Sequence, residues 1–94
     1  MPKNKNKIIP NCLRKYRKIR GLKQTEVAQI LGLKTTSLIS RWEHGYCLPE
    51  SLNVLKLAVL YRTFADGLYI DLIHVLRKEI LAKEAKLVHH GAAR

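Results

Sequence analysis

Residues 24–45 read QTEVAQILGLKTTSLISRWEHG, and their spacing decides the fold. Val27, Ala28 and Leu31 recur at helical intervals, and Gly32 stops the run. A second apolar row, Leu38, Ile39 and Trp42, follows a polar stretch and stops before Gly45. The pattern predicts a helix over 24–31, a turn at Gly32, and a second helix from near Thr35 to near His44. On a helical wheel Leu38, Ile39 and Trp42 point inward with Thr35 near them. Thr36, Ser37, Ser40, Arg41 and His44 share the outward face. That face carries small hydroxyls, one long cation and no acid, whereas an ordinary solvated helix favours Glu, Lys and Gln. Small side chains let a helix approach a groove closely, and an arginine meets a guanine edge with two parallel donors.

Working outward, Asn11 is placed to cap a first helix that ends at Arg20, with Gly21 after it and Leu13 and Tyr16 facing in. Downstream, Pro49 precedes a fourth helix, from Glu50 or Ser51 to Tyr61, whose apolar row is read as Leu52, Leu55 and Ala58. A last helix begins between Phe64 and Asp66 and is drawn to residue 90. Its stripe is Tyr69, Ile73, Leu76, Ile80 and Leu87, interrupted by Lys83. The expected fold class is all-α, with an extended C-terminal helix over 66–90 and a tail over 91–94. Strand alternation is absent from the pattern.

The whole chain has 94 residues, one domain's worth, with eighteen Lys+Arg against seven Asp+Glu and a net charge of +11. Nine of the bases and none of the acids lie in residues 1–23. Residues 1–8, with Lys3, Lys5 and Lys7, read as a flexible basic arm. A charge this lopsided points to an anionic partner, nucleic acid first. No run approaches the ~18 apolar residues of a membrane span, and Pro10 interrupts the only apolar pair near the start. The expected place is the cytoplasm. The two cysteines, Cys12 and Cys47, are too few to staple the fold and are expected as thiols.

Two short helices joined by a glycine turn are a helix-turn-helix pattern. Around it stand Leu13-Arg14-x-x-Arg17, Gly21-Leu22-x-Gln24-x-Glu26-Val27-Ala28, Ile39-Ser40-Arg41-Trp42-Glu43-x-Gly45, Pro49, Leu57-Ala58 and Asp66-x-Leu68. Residues 9–69 thereby resemble the phage-repressor-like (Xre) helix-turn-helix family. The resemblance implies a compact five-helix, lambda-repressor-like domain over 9–69 that binds double-stranded DNA in the major groove, usually as a homodimer on a near-palindromic site. By position, it implies base contacts from Thr36, Ser37, Ser40 and Arg41. Phosphate contacts are expected from Lys23, Gln24, Thr35, His44 and Tyr46, joined by Lys3, Lys5 and Lys7 of the arm. For Arg41 a phosphate contact remains the competing role. Arg17 and Glu43 match a structural ion pair; a phosphate contact is the other reading of Arg17. The stripe Tyr69, Ile73, Leu76 and Ile80 is the expected dimer interface, the alternative being that it packs back on its own domain.

The chain departs from the family pattern in three places. The segment Gly32–Gly45 is one residue longer than usual, Lys23 stands where a Ser or Thr cap is common, and Arg62 replaces a glycine. The leading functional expectation is a DNA-binding transcriptional regulator. The runner-up is an antitoxin-type protein that holds a protein partner through its C-terminal helix and regulates its own operon. No acid–base pair or nucleophile–histidine constellation has suggestive spacing, so no enzyme, cofactor or metal site is expected. His89-His90 supplies only two ligands. RNA binding is poorly supplied with stacking aromatics.

Overall fold

The computed structural model describes residues 8–87, which form six helices and, among the described residues, no strand. They are α1 (Leu13–Ile19), α2 (Gln24–Leu31), α3 (Ser37–Glu43), α4 (Ser51–Tyr61), α5 (Ala65–Leu68) and α6 (Ile70–Leu87). One core joins the first five: Leu13, Val27, Ala28, Leu31, Ile39, Trp42, Leu57, Ala58, Tyr61 and Leu68, with Tyr69 from the junction to α6. The expected arm with Lys3, Lys5 and Lys7, the expected continuation of the last helix over 88–90 with His89 and His90, and the tail lie outside the described residues.

The helix ends follow local chemistry. Asn11 accepts the Leu13 N–H at 3.0 Å, so it caps α1 from one position before Cys12, which holds the N-cap. Its amide donates to the carbonyls of Ile9 (3.1 Å) and Glu43 (3.3 Å), tying the entry to α1 to the exit from α3. The Ile9 N–H donates to the Gly45 carbonyl at 2.8 Å on the same seam. Gly45 is irreplaceable here. It has φ of +79°, and a Cβ on it would run into the Ile9 backbone carbonyl.

Four expectations need correction. α3 starts at Ser37, not near Thr35, because the Thr35 hydroxyl takes the Ser37 N–H at 3.2 Å and holds the approach in a turn. Leu38 is exposed, so Ile39 and Trp42 alone anchor α3. The inner face of α4 is Leu57, Ala58 and Tyr61; Leu52 and Leu55 are 61% and 59% exposed. The last helix is in two pieces, broken at Tyr69 (φ −131°, ψ 42°). Tyr69 turns into the domain core at 6% exposure, which removes it from the free stripe. Beyond that break only Leu72 and Ile73 of α6 are half-buried, and residues 74–87 are exposed all round.

Arg62 closes α4 in the left-handed conformation, φ 59° and ψ 47°, the one non-glycine with positive φ among the described residues. An L side chain there is strained by about 1–2 kcal/mol, part of which glycine's freedom in the unfolded chain would cancel. Arg62→Gly is therefore expected to stabilise the fold by about 0.5–1 kcal/mol, a Tm rise of a few degrees. Thermal melting checks it, and a lowered Tm would refute it.

Candidate nucleic-acid interface

The site is assembled at the N-terminus of α2, along α3 and at the end of α3. Lys23 caps α2 in an extended conformation, and its backbone N–H donates to the Glu26 carboxylate at 2.8 Å. A lysine side chain has no acceptor, so only one half of a reciprocal cap exists. The Lys23 ammonium is left exposed beside the positive end of the helix. A phosphate seated there would offset both charges.

α3 is held from behind. The buried pair Ile39 and Trp42 fixes its axis, and Glu43 fixes its last turn. Arg17 Nε donates to Glu43 Oε2 at 2.6 Å and Arg17 Nη2 to Oε1 at 3.0 Å, a two-pronged ion pair between α1 and α3. Arg17 Nη1 adds a bond to the Leu22 carbonyl at 3.0 Å. Gln24 Nε2 donates to Glu43 Oε1 at 3.1 Å, so one carboxylate aligns α1, α2 and α3. Arg17 is only 9% exposed, and its hydrogen bond to Glu43 raises its pKa against the opposing effect of burial.

The outward face of α3 carries Ser37 and Arg41, both exposed, with Ser40 half-buried between them. Thr35 and Thr36 precede the helix, Thr35 exposed and Thr36 half-buried. At the C-terminus His44 Nδ1 lies 2.7 Å from the Ser40 carbonyl. A carbonyl can only accept, so this nitrogen carries a proton and donates it to the Ser40 carbonyl. The ring stacks on Tyr46 with centroids 5.4 Å apart and planes 20° off parallel.

An open cleft of about 400 Å³ lies between these parts. Its walls are Arg14, Arg17 and Lys18 from α1, Gln24 from α2, and Ser40, Glu43 and His44 from the end of α3. Arg14 and Lys18 are exposed cations four residues apart on one face of α1, at a site where sequence reasoning placed none. The signal was their i, i+4 spacing within the basic first quarter. Arg20 serves the fold instead, with its Nε donating to the Leu60 carbonyl at 3.1 Å. Of the expected contact residues, the structure thus brings Gln24, Ser40 and His44 together on the walls of one cleft, while Thr35 and Thr36 line a separate hollow beside α2.

Two short helices, α2 and α3, joined by a turn, with the exposed Ser37 and Arg41 on the outward side of α3, form the helix-turn-helix arrangement of DNA-binding proteins. The family model described as helix-turn-helix matches residues 13–63, and the chain belongs to that family, of the Xre, lambda-repressor-like type. It is a DNA-binding regulator of that type. No curated protein and no solved structure matched. Among the described residues no helix is long and apolar enough to cross a membrane.

Proposed function

We propose that the chain is a sequence-specific regulator of transcription that lays α3 in the major groove, acting in the cytoplasm as a homodimer on a near-palindromic site. The observation that carries this reading is the seating of Arg41. It is exposed and lies one residue before the buried anchor Trp42. A fixed helix axis aims the guanidinium instead of leaving it to float. Its matching partner is the O6/N7 edge of a guanine. Ser37 and Ser40 stand beside it, and Thr36 precedes the helix, as further base-contacting groups. Lys23, Gln24, Thr35, His44 and Tyr46 surround them as phosphate contacts, and the cleft cations Arg14 and Lys18 extend that set. Lys3, Lys5 and Lys7 are assigned to the backbone or the neighbouring minor groove.

Selection of bound sites from random duplex DNA tests the reading. Arg41→Ala should flatten preference at one symmetric pair of positions, a discrimination of about 1–3 kcal/mol at each. Arg41→Lys should keep the charge but only part of the preference, since an ammonium lacks the planar fork. A uniform loss of affinity with the profile intact would make Arg41 a phosphate contact. Failure of the wild-type chain to enrich any sequence would remove the specific-binding reading altogether.

A further inference from the structure

We infer that two copies of this chain pair through α6 in the antiparallel sense, in the register that sets Leu76 of one copy against Leu87 of the other. The inference rests on the homodimer reading above and adds its orientation and register. α6 presents Ile73, Leu76, Ile80, Lys83 and Leu87 at alternating intervals of three and four, the spacing of a two-helix seam. Leu76, Ile80 and Leu87 are 41%, 58% and 65% exposed, so their own domain leaves them uncovered. Ile73, Leu76, Ile80 and Leu81 line a shallow groove along the helix, with Arg77 at its edge.

Charge decides among the ways to cover this face. Parallel, in-register pairing sets Lys83 against Lys83 inside the seam and brings Glu79 beside Glu84 of the other helix, both repulsive. Antiparallel pairing with Leu76 opposite Ile80 sets Arg77 on Arg77 and Glu79 on Glu79. Sliding one heptad further removes every one of these conflicts. Leu76 then meets Leu87, Ile80 covers the stem of Lys83, Arg77 faces Glu84, and Lys83 reaches Glu79, each contact made twice by the two-fold axis. The seam lysine, a defect in the other arrangements, becomes a register device. In this register the two Ile70 positions stand roughly 35 Å apart along the pair axis, from a rise of 1.5 Å per residue. One turn of B-DNA has that length, so a pair axis lying along the duplex would offer the two domains to successive major grooves.

Charge reversal followed by sedimentation equilibrium, with far-UV circular dichroism to verify the helix, tests the register. Arg77→Glu and Glu84→Arg change exposed positions only. Each alone should raise the dimer Kd by at least about tenfold, because it makes a like-charge pair twice. An equimolar mixture of the two variants should form a heterodimer within about threefold of the wild-type Kd, because both reversed pairs become attractive. The double variant should pair with itself equally well. Tightening by Glu84→Arg alone would indicate parallel helices, and no effect would indicate the shorter register; either outcome overturns the inference and leaves the homodimer standing. A wild-type chain that stays monomeric at about 100 micromolar would overturn both.

Discussion

Glu43→Ala is expected to lower the unfolding free energy by about 3 kcal/mol or more, a large share of what a domain this size possesses. Three donors converge on that carboxylate: Arg17 Nε, Arg17 Nη2 and Gln24 Nε2. Its removal leaves a guanidinium that is 9% exposed without its counter-charge, and such a charge is far costlier than a lost surface pair. Arg17 keeps one bond, to the Leu22 carbonyl, which does not neutralise it. The companion variant Arg17→Met/Glu43→Leu removes both charges and should recover to within about 1–2 kcal/mol of wild type. Urea unfolding at neutral pH measures both. A loss below about 1 kcal/mol for Glu43→Ala would mean that water screens the pair as it does at a surface. The recovered double variant should still bind DNA more weakly, because Gln24 at the start of α2 has lost the acceptor that positions it.

Such a pair was legible only in part. Arg17 and Glu43 stand 26 residues apart, and their partnership came from the family resemblance; the bonds to Leu22 and Gln24 came from the fold. Helix ends marked by glycine were read correctly at Gly21, Gly32 and Gly45, each with positive φ, because a left-handed stop favours that residue type; the left-handed stop at Arg62 carries no such mark. The start of α3 was misplaced because a threonine can cap, stop or extend a helix, and here the Thr35 side chain competes for the Ser37 N–H. The face of α4 was misread for a different reason. SLNVLKLAVLY is apolar on nearly every side, so the rows through Leu52 and through Leu57 satisfy helical spacing equally well. Contact with α2 and α5 chooses between them and leaves an apolar groove lined by Ile30, Leu55 and Val59. The break at Tyr69 has no proline to announce it. A large aromatic side chain gains more from the core than the helix loses by bending there.

Raising the pH through 10 to 12 is expected to remove roughly 5 kcal/mol of stability, and two tyrosines account for it. Tyr61 is 3% and Tyr69 6% exposed, and burial pushes the pKa of each from 10 up to about 12. Between those values the unfolded chain has released protons that the folded chain retains, so stability must fall as pH rises. The contribution is complete below pH 10 and lost above about 12, at about 2–3 kcal/mol for each phenol. The two residues differ in one respect. Glu43 reinforces the upward shift of Tyr61 and Arg17 opposes it, whereas neither acts on Tyr69. In a Glu43→Gln variant the opposing effect of Arg17 survives alone, so the Tyr61 phenolate should form at lower pH while Tyr69 holds. Ultraviolet difference titration follows the phenolates, circular dichroism follows the fold, and Tyr61→Phe and Tyr69→Phe assign them. Each Phe variant should shed about half of the alkaline loss. Should Tyr61 and Tyr69 both ionise near pH 10 with the helices intact, neither phenol is sealed in the core, and the packing around them is looser than their 3% and 6% exposures imply.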